Sequence, residues 1–167
     1  MYRFIRRRDI PYILITITVG ILAHSIYEFS GKNPITGLIA PVNESVWEHL
    51  KILFFPFLLA SLTEYYMQRP ASAAFFSSHL IGVWTGMLSI IFLFYGYSGI
   101  FGRSFVPVDI FLFFIGVITA YYISFKCARK FNKLEPLTVF LLWIFTILLF
   151  FIFTCFPPEL PLFLPPM

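Results

Sequence analysis

Five apolar runs, each close to the length a membrane crossing needs, limit what this chain can fold into. A helix spans the hydrocarbon core of a bilayer with about 20 residues. Runs of that size lie near 10–30, 44–67, 71–95, 105–126 and 136–156. Each is closed by residues that stop a helix: Gly31 to Pro41 with its two prolines, Arg69-Pro70, the glycine-rich Gly96 to Gly102, and Asn132 to Pro136. Lipid offers no hydrogen bonds to backbone amides, so such runs fold as helices that satisfy their own. The expected fold is all-α, a polytopic membrane bundle of five transmembrane helices forming one domain over residues 1–167. From residue 157 the chain reads Pro-Pro-Glu-Leu-Pro-Leu-Phe-Leu-Pro-Pro, and it should run extended along the membrane surface, because proline cannot continue a helix. Composition agrees: 59% of residues are hydrophobic, 23 are Phe, and mean hydropathy is +0.86. Eight acidic residues are too few to clothe a water-facing surface.

The charges indicate orientation rather than a nucleic-acid partner. Basic residues sit in short clusters at the ends of the apolar runs, where they act as topology signals. With the N-terminus inside, Arg3, Arg6, Arg7, Arg8, Arg69, Lys126, Arg129, Lys130 and Lys133 face the cytoplasm, whereas only Lys32 and Arg103 lie outside. Nine against two predicts an N-terminus inside and a C-terminus outside, in a bacterial plasma membrane. The first run is too long for the apolar core of a cleavable leader, so it is expected to remain as a span. Cys127 and Cys155 then fall on opposite sides of the membrane, and no disulfide between them is expected. In the third run Gly82 and Gly86 form a GxxxG face, which suits close packing inside the bundle or against a second helix partner.

Against this background one stretch stands apart. Pro41-Val42-Asn43-Glu44-Ser45-Val46-Trp47-Glu48-His49-Leu50-Lys51 gathers Asn43, Glu44, Glu48, His49 and Lys51 in a chain only 12% charged. Polar groups placed in lipid cost several kcal/mol unless paired, so they mark function or a specific network. Counting about 1.5 Å of rise per residue puts His24 and His49 at one level, roughly 9 Å below the outer boundary. Glu28 lies one turn above His24 at i,i+4, with Tyr27 beside it. Glu44, Trp47, Glu48 and Lys51 share a face of the second span, and Asp109 reaches the same level from the fourth. Asn43-Glu44-Ser45 also spells a glycosylation sequon, but its place at the start of a span favours a helix cap. Four carboxylates against one lysine would leave a net charge of about −3 in a low dielectric, which requires protons or a bound cation.

Two imidazoles with carboxylates make a ligand set for Zn, Mn or non-haem Fe. His24, Glu28, His49 and Asp109 are the candidate metal ligands, with Glu48 or Glu44 as a general base if a metal-bound water is activated. Asn43, Lys51, Trp47 and Tyr27 complete the polar network. The alternative is a hydrogen-bonded network that only joins helices. His79 lies toward the inner end of the third span with Glu64 in reach. It donates to a neighbour among Ser77, Ser78 and Thr85, or serves as a relay step for protons.

His24-x-x-Tyr27-Glu28, the Pro41 to Lys51 run and the terminal Pro157-Pro158-x-x-Pro161-Leu162-Phe163 together resemble a family of small multi-pass bacterial membrane proteins of unknown function. That resemblance covers most of the chain and implies no activity. The multi-histidine pattern is also loosely similar to intramembrane metal hydrolases of the alkaline ceramidase type, although their full set of motif histidines is missing here. Three functions follow from the residues. One is a membrane protein whose outer site binds a cation or polar head group for transport, accessory or sensing purposes. Another is a metal-dependent hydrolase acting on a lipid or lipid-linked substrate. The last is a purely structural polar network.

Overall fold

The computed structural model describes residues 7–70, 72–128 and 135–166, and every regular element in them is helical. The basic residues Arg3, Arg6, Arg129, Lys130 and Lys133, and the predicted turn from Asn132, lie outside the described residues. In chain order the helices are α1 (Ile10–Phe29), α2 (Pro34–Ile39), α3 (Val46–Gln68), α4 (Ser72–Phe101), α5 (Val106–Cys127) and α6 (Pro136–Cys155). Five of them, all but the six-residue α2, are long and apolar enough to cross a membrane. They run alternately up and down, joined by a long connection from α1 to α3 at one end and a tight turn at Arg69 at the other. We call these the loop end and the turn end.

Helix boundaries follow local chemistry. Pro11, Pro34, Pro107 and Pro136 occupy first-turn positions, where the missing N–H costs nothing. Arg69 turns α3 off with a left-handed φ of 46°, and Gly102 ends α4 at φ 70°. α4 runs to Phe101, six residues past the expected end at Tyr95. Gly96 and Gly99 meet no neighbouring atoms, and isolated glycines lower helix propensity without breaking a helix already packed along its length.

α3 is the hub. Leu53, Phe54, Phe57 and Ala60 are fully buried in it, and it packs against α1, α4 and α5. Pro56 sits within the helix without ending it. The closest pairing is α4 with α5, and small residues make it possible. A Cβ added at Gly86 would lie 2.6 Å from the carbonyl oxygen of Gly116, and one at Gly82 would collide with Ser124 and Ala120. The Gly82/Gly86 face is thus filled by α5 of the same chain. Polar ties cross the bundle as well: Tyr121 donates to Thr16 (2.9 Å), which in turn donates to the Tyr12 carbonyl, and Trp84 Nε1 donates to Thr146 (3.1 Å). Outward-facing Phe92, Phe111, Phe140 and Phe145 are exposed, and they form the apolar coat a bilayer covers.

Candidate metal centre

The chain between α1 and α3 is folded back on itself, and that folding builds the site. Asn33 caps the short helix α2 through its side chain, accepting from Ile35 N–H at 2.9 Å. Beyond α2, Asn43 Oδ1 accepts from Ser45 N–H at 2.8 Å, a turn closed by the side chain itself. Ser45, not Asn43, is the N-cap of α3, and its hydroxyl accepts from Glu48 N–H. The helix therefore starts at Val46 rather than Glu44, which leaves Glu44 on the connection, free to turn toward α1.

Glu48 and Lys51 clamp this connection from beneath. Lys51 Nζ lies 2.6 Å from Glu48 Oε2 and donates to the carbonyls of Gly37 (2.8 Å) and Ala40 (3.5 Å). Glu48 Oε2 also accepts from Val42 N–H at 2.9 Å, and the Thr154 hydroxyl of α6 approaches Oε1 at 3.1 Å. Both side chains are buried, Lys51 completely. A buried ion pair pays its desolvation only when its remaining hydrogen-bonding capacity is also used, and here three backbone groups do that. Glu48 is accordingly a structural anion and not the free general base expected from the sequence: its carboxylate is occupied by an ammonium and an amide.

Above the clamp three side chains converge. His24 Nε2 and His49 Nε2 are 3.2 Å apart, and Glu44 Oε2 lies 3.3 Å from His49 Nε2 and 3.9 Å from His24 Nε2. His49 Nδ1 faces the Ser45 carbonyl at 3.0 Å. A carbonyl only accepts, so Nδ1 carries a hydrogen, and Nε2 is the ring nitrogen that faces Glu44 and His24. Tying the distal ring nitrogen to a backbone carbonyl is how metal-binding histidines are oriented. The three donor atoms are mutually within 4.8 Å, the one such group among the described residues. Metal–ligand bonds of about 2.0–2.2 Å set tetrahedral edges of about 3.3–3.6 Å, close to the two spacings made by His49 and shorter than the 3.9 Å between His24 and Glu44. The side chains of His24, Glu44 and His49 are 45%, 69% and 28% exposed, so a coordination position is open to solvent or ligand.

The other expected ligands lie apart from this trio. Glu28 pairs with Lys32 at 3.7 Å, both exposed: α1 ends at Phe29, and the chain turns its lysine back onto the acid. Asp109 accepts a short hydrogen bond from the Tyr97 hydroxyl, which itself accepts from Phe105 N–H at 3.1 Å. That exchange holds the α4–α5 connection, and Asp109 is not among the three donors that converge. Glu44, expected as a general base, instead joins the two histidines. Trp47 is packed against Phe150, Phe153 and Phe163 with ring centroids 4.9–5.4 Å apart. Its indole N–H finds no hydrogen-bond partner among the described residues. This contact pins the tail, which carries a 3-10 turn at Pro161–Phe163 instead of running wholly extended, because Phe163 is drawn into the aromatic pocket. Tyr27 stacks over Gly37 of α2, where a Cβ would come within 3.2 Å of its ring.

Sequence reasoning missed Thr154 and Tyr97. Thr154 sits within a turn of the loop end of α6, so the same level count that paired the histidines would have found it. Tyr97 was hidden inside a stretch read as loop.

An exposed His-His-Glu triad above a buried ion pair, at one end of five apolar helices, defines an integral membrane bundle with a possible metal-binding group at its surface. The chain belongs to a family described as a family of unknown function (DUF6512), whose profile matches residues 5–167. No curated protein and no solved structure matches it.

Proposed function

We propose that the protein binds a divalent transition-metal ion, Zn²⁺ or a close relative, at His24, Glu44 and His49. The site would lie at the outer face of a bacterial plasma membrane and act in transport, sensing or as an accessory to a partner. One observation carries the reading. His49 Nε2 faces a carboxylate oxygen at 3.3 Å and a second imidazole nitrogen at 3.2 Å, and a cation shared by three such donors turns their mutual repulsion into attraction. Two imidazoles select a transition metal over Mg²⁺ or Ca²⁺, which prefer oxygen. The outward position rests on the nine-to-two distribution of basic residues about the spans.

A binding role is favoured over an intramembrane hydrolase. Three protein ligands and an open position suit either, but hydrolysis also needs a base beside the metal-bound water, and Glu48 is held by Lys51. Elemental analysis of detergent-purified protein tests the proposal. About one equivalent of metal is expected to be lost from the wild-type content in His24→Ala, His49→Ala or Glu44→Gln. A wild type without metal after exposure to micromolar Zn²⁺ overturns it.

A further inference from the structure

At the turn end of the bundle the same donor pair recurs. His79 Nδ1 lies 2.9 Å from the Phe75 carbonyl four residues back, just as His49 Nδ1 faces Ser45 four residues back. A hydrogen is again on Nδ1, and Nε2 again faces a carboxylate oxygen, Glu64 Oε2 at 3.5 Å. This pair is buried where the first is exposed, since the side chains of His79 and Glu64 are 9% and 5% accessible. Glu64 Oε2 accepts no hydrogen bond among the described residues. A buried carboxylate oxygen without a hydrogen bond, facing an imidazole nitrogen, is costly unless a proton or a metal ion is shared between them.

Both residues line a cavity of about 260 Å³, together with Asp9, Gln68, Ser78 and Ser124. A water occupies about 30 Å³ in the liquid, so this space holds several. Arg8 also lines it, paired with Asp9 at 3.8 Å, and Tyr121 closes it toward α5. The 3.5 Å separation fits an edge of a metal coordination polyhedron, and the polar walls can hold waters in the remaining positions.

We infer that His79 and Glu64 form a second metal site, taking a divalent transition-metal ion with two protein ligands and water. It stands on its own geometry and is independent of the loop-end proposal. The two sites lie at opposite ends of α3, since residues 49 and 64 are about 22 Å apart along a helix, with fully buried Phe54 and Phe57 between them.

The test uses full-length protein, stripped with chelator in detergent and titrated with Co²⁺. Two equivalents are expected in the wild type and one in the His24→Ala/His49→Ala double variant. The chain has three histidines, so His79 is then the sole imidazole, and bound Co²⁺ should shift and broaden its ring resonances. Adding Glu64→Gln should abolish that effect while leaving the helical circular dichroism unchanged. A double variant that binds no Co²⁺, or binds it with the His79 signals undisturbed, overturns the inference. The outcomes also separate the two sites. One wild-type equivalent lost with His24 and His49 leaves the loop-end site standing alone, and one equivalent retained that broadens His79 leaves the turn-end site alone.

Discussion

Glu48 and Lys51 differ from Glu44 and His49 in one respect that decides their roles. All four belong to one eleven-residue run, yet the first pair is buried beneath the connection and the second faces out above it. In the buried pair every charged atom has a protein partner, whereas in the exposed group the donors face one another across a gap a cation would fill. Two glutamates of one run thus separate into a clamp and a receptor according to depth. Changes in the clamp should therefore cost stability, and changes in the receptor should cost metal.

The largest effect is expected from Lys51→Met. It removes the ammonium from a buried carboxylate and from the carbonyls of Gly37 and Ala40. Stranding one member of a buried pair costs about 3–5 kcal/mol, so thermal unfolding in detergent should shift strongly downward. Lys51→Met/Glu48→Leu, which removes both charges, should recover a large part of that loss. A single variant within about 1 kcal/mol of wild type, well under the cost of an unpaired buried charge, would mean that the clamp does not hold the connection.

His49→Ala should reverse the pattern. Its ring is partly exposed and packs on His24 with centroids 5.2 Å apart, so stability should fall by no more than about 1 kcal/mol, within the ordinary range for single substitutions. Bound metal should fall by one equivalent. If metal is retained while stability collapses, receptor and clamp have been assigned the wrong way round.

How far the sequence revealed this division depends on what each residue's position reports. Level along a helix can be counted, so His24 and His49 were placed together from their distances to the ends of their spans. Five spans were legible for the same reason: an apolar run of that length has one stable solution in lipid. What counting cannot report is where a connection folds. Glu44 joined the histidines because α2 and the Asn43 turn bring the connection back over α1, and those depend on caps and on carbonyls held by Lys51. Glu28 does lie one turn above His24 within α1, but its carboxylate turns to Lys32 just beyond the helix end. Asp109 stands at the predicted level but answers to Tyr97, a partner concealed by the assumption that glycines end α4.

Ser45→Ala sharpens the contrast at smaller scale, because Ser45 serves both regions with different atoms. Its hydroxyl caps α3, while its carbonyl orients His49. Removing the hydroxyl should cost about 1 kcal/mol, as N-cap losses typically do. The carbonyl remains, so metal stoichiometry should stay at wild type. A loss of metal here would show that cap and ligand orientation are not separable.

The smallest effect is expected from Glu28→Gln, and its smallness is what makes it discriminating. Glu28 carries the same charge as Glu44 and lies one helical turn from His24, so a diffuse acidic field around the histidines would involve both equally. The structure commits Glu28 to Lys32 instead, at 3.7 Å with both side chains about two-thirds exposed. Exposed pairs of this kind contribute about 0.2–1 kcal/mol and are screened by salt. Glu28→Gln should therefore shift unfolding by at most that amount and leave metal content unchanged, while Glu44→Gln, equal in charge, removes the loop-end metal. Equal losses from the two variants would mean that net charge rather than ligand geometry attracts the ion, and raising the ionic strength would then weaken binding in the wild type as well.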